Sequence, residues 1–461
     1  MKSLSLDHRL LENFSWPLLF SMFGLCACGL LNLYSLSASR EFINEGSWFV
    51  RQALYLGVGM FGFIFVLFFD YQYLKKITWP FYFISIVCLV LVIKLGSSAN
   101  NATRWLDLGF LRFQPSEAAK IAVVLALATW LSNRDLSSGL DFNDLPVPAL
   151  IVLVPFILIH KQPDLGTALH LLAISASIFM VFKFRPRLLI SIVMVAFLGA
   201  GLAVSLVASG SWEVLKEKGI LKGHQIDRID IFLNPEKDPK DKGHQVLESR
   251  KAIGGGQLFG RGFMEGMQHK NRFLSFGETD FVFAALAEEW GFVGSMIVLS
   301  LFLCLVSSGL ALARRSKDRF GALIILGMTF MLFWQVIINV GMVVGLLPVV
   351  GSPLPFLSYG GTSLLVSVGA VALMLNIGMR RYQFQDEPVR ENPFIWSQPA
   401  DDDDRLIVTV PVRRLAVDTP FNPELHPRHR LPHVRPWAKY LRKSRCISDW
   451  RVPDAIDLVK E

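Results

Sequence analysis

The 461-residue chain is 52% hydrophobic and only 18% charged, with a mean hydropathy of +0.43. A soluble chain this apolar would expose large patches and aggregate, so the composition excludes an ordinary water-soluble protein and makes lipid the solvent for much of the chain. Its net charge of +8, from 46 Lys and Arg against 38 Asp and Glu, is accounted for by basic cytoplasmic loops, and no nucleic acid partner is expected.

A helix needs about 17–25 apolar residues to cross a bilayer. Such segments run approximately over 16–36, 49–69, 78–95, 115–132, 146–161, 165–182, 187–208, 281–313, 320–347 and 360–380. They predict an all-α, polytopic integral membrane protein with about ten transmembrane helices. Lys2 and Arg9 precede the first segment as in a signal peptide. Its core is too long for one and no small-residue cleavage site follows, so it reads as an uncleaved helix. Between the fifth and sixth segments, Gln162-Pro163-Asp164 predicts a hairpin turn, because a proline and an acid do not suit the middle of one long span.

In an alternating ten-span arrangement, Lys75, Lys76, Lys183, Arg185, Arg187, Arg314, Arg315, Lys317, Arg319, Arg380 and Arg381 fall on one side. By the positive-inside rule that side is the cytoplasm, which places both termini inside and one large loop, 209–279, outside. Residues 1–382 are thus expected to form the membrane domain. Residues 383–461 are expected to form a cytoplasmic tail, disordered or weakly folded, with an acidic run at Asp401–Asp404 and seven basic residues between Glu424 and Asp449. Four of the five cysteines lie in apolar runs and Cys446 in the tail, so no disulfide or zinc spacing is visible.

Ionisable groups inside a membrane mark function or structural pairing. Glu117 and Lys120 follow Gln114, Pro115 and Ser116 at the start of the fourth span. Three apart, they share a helix face, either as a structural ion pair or as the polar wall of an outward-opening cavity. Asp280 stands where the outer loop meets the eighth span, either capping that helix with Thr279 or acting as a functional carboxylate. Glu288 and Glu289 follow on diverging faces, so at least one of them is expected to pair internally. Gly254–Gly262 is glycine-dense but lacks the Lys-Ser/Thr of a nucleotide loop, and reads as a flexible loop. The irregular segment Leu347–Gly361 requires burial or a water-lined position.

Several motifs in order resemble the SEDS family (shape, elongation, division and sporulation) over about residues 10–380. They are Arg104–Gly109 (RWLDLG), the Gln-Pro-Ser-Glu of 114–117, Lys161–Thr167 (KQPDLGT), Asn234–Pro239, Thr279–Phe283 (TDFVF) and Pro353–Gly361 (PLPFLSYGG). The wording of 161–167 and 234–239 is more similar to the RodA elongation branch than to the FtsW division branch. Departures are Leu274–Glu278 ahead of Thr-Asp-Phe and Gly243-His244 in place of a Gly-Tyr pair.

The resemblance implies a glycosyltransferase of the bacterial cytoplasmic (inner) membrane that polymerises lipid II into peptidoglycan during cell elongation. Undecaprenyl pyrophosphate would be released with inversion. Asp280 matches the implied general base, and one base suffices because the leaving group needs no acid. Glu117 and Lys120 match the family's polar pair. Arg104, Gln114, Ser116, Asp164 and Ser358 lie in the matching motifs and are the further candidates for substrate binding. The departing charge would be met by basic groups such as Arg104 or Lys120, or by a divalent cation, Mg or Mn; no other cofactor is expected. The implied partners are lipid II with its undecaprenyl chain, a class B penicillin-binding protein transpeptidase and other elongation-complex membrane proteins. Two other classes of function stay open: a flippase for the lipid-linked precursor and a non-catalytic scaffold of the wall-synthesis complex.

Overall fold

The computed structural model describes residues 14–38, 48–99, 102–107, 112–135, 139–182, 184–188, 190, 191, 194, 242–267 and 277–380. Its helices are α1 (Trp16–Ala38), α2 (Trp48–Phe68), α3 (Leu74–Leu95), α4 (Pro115–Ser132), α5 (Pro146–Lys161), α6 (Leu165–Met180), α7 (Lys242–Gly255), α8 (Val282–Arg314), α9 (Arg319–Val344) and α10 (Gly361–Met379). The predicted spans correspond to all of these except α7. The predicted seventh span, 187–208, lies almost entirely outside the described residues, as do both termini and the 383–461 tail.

Among the described residues, six helical segments are long and apolar enough to cross a membrane: α1, α2, Tyr71–Leu95, α8, α9 and α10. The shorter α5 and α6 are apolar as well. α2 shows why these segments suit lipid. Leu54, Val58, Phe61 and Phe65 recur at helical spacing and are exposed, whereas Gln52, Gly59 and Phe63 on the same helix are buried. In contrast α4 and α9 are buried over most of their length and form the middle of the bundle.

Two features depart from the predicted all-α plan. Residues between α3 and α4 form a small antiparallel sheet, β1 (Ser97–Ala99), β2 (Ala102–Asp107) and β3 (Arg112–Phe113), in the order β1-β2-β3. The glycine-dense segment after α7 is folded, not a flexible loop: its backbone is spliced into α8. That helix breaks at Gly291, whose φ of 66° and ψ of −165° are not helical. The break frees carbonyls and amides, and the loop takes them up. Arg261 and Gly262 N–H donate to the carbonyls of Glu288 and Glu289 at 3.0 and 3.2 Å; Phe292 and Val293 N–H donate to Gln257 and Leu258 at 2.8 and 3.0 Å. Irregular backbone in a membrane helix is tolerated when protein satisfies it in this way.

Contacts among helix ends define two poles. At one, Tyr71 Oη donates to Asp318 at 2.6 Å, Arg319 to the Arg134 carbonyl at 3.0 Å, and Arg185 pairs with Asp141 at 2.5 Å. Arg380 there closes α2 by donating to the carbonyls of Leu67 and Phe68. At the other pole stand Arg104, Asp164, Asp280 and the 351–360 segment.

Candidate active site

Asp280 occupies a turn, Gly277–Asp280, directly ahead of α8. It is not a helix cap: the N-cap of α8 is Phe281, with no side-chain capping bond. Among the described residues no hydrogen bond or ion pair reaches the Asp280 carboxylate. Its backbone carbonyl, by contrast, is gripped. Asn339 Nδ2 donates to it at 2.8 Å and to the Ser352 carbonyl at 2.6 Å. Gly351 (φ 70°) lies beside the carboxylate; a Cβ there would stand 3.4 Å from Asp280 Oδ2.

Burial pushes the Asp280 carboxyl up to about 6; Arg104 opposes this, and the negative charges of Asp164 and Glu278 reinforce it. Asp164 is the N-cap of α6 and is almost fully buried. It accepts from Thr167 Oγ1 at 2.9 Å, Thr167 N at 3.3 Å and Gln114 Nε2 at 3.3 Å, and Arg104 Nη1 lies 3.9 Å away. Arg104, on β2, also donates to the Pro163 carbonyl. A positive charge and a carboxylate without a partner therefore share one pole of the bundle, and each is set by a different pair of elements.

Ser358 lies near this centre, but its hydroxyl is committed to the protein. It donates to the Thr279 carbonyl at 2.5 Å and accepts from Leu354 N at 2.7 Å. Tyr359 N donates to the Glu278 carbonyl at 2.8 Å, and Gln52 spans Ser358 O and Gly360 N at 3.0 and 3.2 Å. Ser358 thus positions the Thr279–Asp280 backbone, with its hydroxyl proton committed to the Thr279 carbonyl.

Glu117 and Lys120 form a 2.8 Å ion pair in the first two turns of α4, with both side chains almost fully buried. Ser116 Oγ and Glu117 Oε2 are buried without a hydrogen-bond partner. The pair begins one turn beyond Gln114, whose side chain sits on Asp164, so α4 connects the buried pair to the Arg104–Asp164 node. The structure brings Arg104, Gln114 and Asp164 together and sets Asp280 within their field. It shows no direct contact between Asp280 and the Glu117–Lys120 pair.

Glu288 and Glu289 both point inward, consistent with the expectation that at least one pairs internally. Glu288 accepts from Met267 N at 2.9 Å and lies 3.6 Å from Arg261; Glu289 accepts from Ser35 Oγ at 2.6 Å. Sequence reasoning missed Asn339, Gln335, Gln52 and Arg261. For the first two a signal was present. Gln335 and Asn339 are polar residues one turn apart on a single face of an apolar span, and Gln335 Nε2 holds the Pro353 carbonyl at 3.0 Å.

A family described as cell cycle protein, comprising FtsW, RodA and SpoVE, matches residues 17–383. The peptidoglycan glycosyltransferase MrdB of Escherichia coli K12 is 39% identical over 303 residues, which covers 65% of this chain and 77% of that protein. The stage V sporulation protein E of Bacillus subtilis 168 is 36% identical over 362 residues, covering 77% and 93%. Among solved structures, one on the coordination of polymerization and crosslinking by a peptidoglycan synthase complex superimposes with a TM-score of 0.66 at 32% identity, covering 80% of this chain and 99% of that one. The rod shape determining protein RodA of Thermus thermophilus gives 0.57 at 29% identity, covering 80% and 98%. With a match over most of its length and relatives well above 30% identity, this chain belongs to the FtsW, RodA and SpoVE family of cell cycle proteins.

Proposed function

We propose that this chain is a peptidoglycan glycosyltransferase that polymerises lipid II in the bacterial cytoplasmic membrane, with Asp280 as general base. The observation that carries the reading is the Asp280 carboxylate. It has no protein partner among the described residues, stands in the field of Arg104, and is held through its backbone by Asn339. The resulting base is stronger than an ordinary aspartate and still ionised at neutral pH.

In the proposed reaction a sugar hydroxyl of one lipid II attacks the anomeric carbon of the lipid-linked strand. Asp280 takes the hydroxyl proton as the new glycosidic bond forms. The bond to the pyrophosphate breaks with inversion, and undecaprenyl pyrophosphate leaves with the electron pair. Arg104, held by Asp164 and Pro163, meets the charge that develops on the pyrophosphate. The buried Glu117–Lys120 pair, with Gln114 and Ser116, shapes the substrate side of α4. Among the described residues no cluster of three or more His, Cys, Asp or Glu could hold a metal ion. A divalent cation, Mg or Mn, would be held by carboxylates of this pole, Asp164 and Glu278, and would supply neutralisation of the charge on the leaving pyrophosphate.

The gathering of Arg134, Arg185, Arg319 and Arg380 at the pole opposite Asp280 supports cytoplasmic termini and an outward-facing active site. The wording of the 161–167 motif supports the elongation branch, with a class B penicillin-binding protein transpeptidase and other elongation-complex membrane proteins as partners. Polymerisation of purified lipid II by the reconstituted protein with its partner tests the reading, comparing native protein with an equally folded Asp280→Ala. Strands from native protein alone support it. Equal strands from both remove Asp280 as base, and none from either, despite an active partner, favours a flippase or scaffold.

A further inference from the structure

The splice at Gly291 fixes the height of the loop that makes it. From Phe292 to Arg314 the unbroken part of α8 is 23 residues long, about 34 Å at 1.5 Å per residue and close to the ~30 Å hydrocarbon thickness. Arg314 and Arg315 mark the inner edge, so Phe292 and Val293 fall at the outer edge. Gln257 and Leu258 are hydrogen-bonded to those two residues and share their level.

At that level the loop shows apolar side chains outward. Phe259 is 80% exposed and Leu258 61%, and Phe263 is about half exposed while stacking on Tyr34 at 6.4 Å. They continue the exposed stripe of α8, made by Phe292, Val293, Met296 and Ile297, which on a membrane helix is a lipid-facing stripe. The polar atoms of the same loop turn the other way. Its amides are used on Glu288 and Glu289 carbonyls, and the Met267 amide on the Glu288 carboxylate. A loop with its hydrogen bonds satisfied inward and its phenylalanines outward, at the height of a bilayer edge, is built for an apolar neighbour.

We propose that the 257–263 segment is an interfacial lipid anchor, with Leu258, Phe259 and Phe263 inserted among the acyl chains of the outer leaflet. The large outer loop is thereby tied to the membrane at a point in its own sequence as well as at its two ends.

Site-directed spin labelling of the full chain in lipid vesicles tests this. In a cysteine-free background, single cysteines are placed at Leu258→Cys, Phe259→Cys and Phe263→Cys, with Ile297→Cys as lipid control and Arg250→Cys as aqueous control. The expected result is oxygen accessibility several-fold above that of a water-soluble nickel chelate at 258, 259 and 263, as at 297 and opposite to 250. Nickel accessibility at 259 equal to that at 250 would overturn the proposal. Shielding from both relaxers would overturn it too, since a protein surface would then cover the segment. Three label positions keep the test valid if one variant misfolds.

Discussion

One amide nitrogen, Asn339 Nδ2, holds two carbonyls at once: Asp280 at 2.8 Å and Ser352 at 2.6 Å. It thereby ties the turn that presents the carboxylate to the glycine-containing segment beside it. Asn339 touches the backbone of Asp280, not its reacting atoms, so its role is positioning. Asn339→Leu should lower kcat for lipid II polymerisation about 10- to 100-fold, the cost of a small misplacement of a catalytic group, with KM little changed. Asn339→Asp, which lacks the donor, should be as poor; Asn339→Gln should recover part of the rate. A change confined to KM would disprove the positioning role.

The environment of Asp280 sets a pH dependence. With its carboxyl raised to about 6, the base is ionised above that pH and is lost by protonation below it, so kcat/KM should fall on the acid side with a limb near 6. Arg104 lowers the Asp280 value, so Arg104→Gln should move the limb to higher pH in whatever activity survives. Asp280→Ala should leave no limb to measure. The check is a pH–rate profile on native and variant proteins of equal thermal stability.

The Glu117–Lys120 pair is buried on both sides at 2.8 Å. Removing one partner leaves an uncompensated charge in the bundle, which typically costs about 3–5 kcal/mol, whereas replacing both with apolar residues costs far less. Glu117→Gln and Lys120→Met should therefore each lower the melting temperature in detergent more than the double variant Glu117→Leu/Lys120→Met does. If the double variant is stable but makes no glycan strands, the pair serves the reaction as well as the fold.

At the splice a glycine is required. In Gly260 (φ 84°) a Cβ would lie 2.0 Å from the Glu289 carbonyl oxygen and 2.7 Å from the Gly291 nitrogen, both backbone atoms that cannot step aside cheaply. Gly260→Ala should destabilise the protein by more than about 1 kcal/mol. Gly254→Ala, with nothing within 4 Å of its added methyl and a place on α7, should be neutral or stabilising by up to about 1 kcal/mol. Thermal unfolding of the two variants in parallel separates a steric requirement from general loop tolerance.

Much of this molecule is legible from local sequence. A transmembrane helix announces itself by length and hydropathy, because the bilayer imposes both, and nine predicted spans match α1–α6 and α8–α10 to within a few residues. Asp280, Arg104, Gln114 and Asp164 were legible for a different reason, since they lie in ordered motifs that resemble a known family. What local sequence left open was the use each polar group makes of its neighbours. Ser358, a substrate-binding candidate by its motif, also holds the Thr279 carbonyl 79 positions away; Thr362 reaches Arg112 across 250. Capping was a fair expectation for Asp280, yet the backbone begins α8 without it.

Sequence by itself therefore determined nine apolar helices of the described bundle, the pole at which the basic residues gather, and the acid on which the chemistry is proposed to turn. Only the tertiary structure decided that α8 breaks at Gly291, that a glycine-dense loop repairs the break, and that Asn339 grips the turn carrying Asp280. The physical reason is the range of the forces. Burial of an apolar stretch in lipid is a sum over one segment and can be read along the chain. A hydrogen bond needs a donor and an acceptor within about 3 Å, and in this bundle the two partners are brought together by helices far apart in sequence.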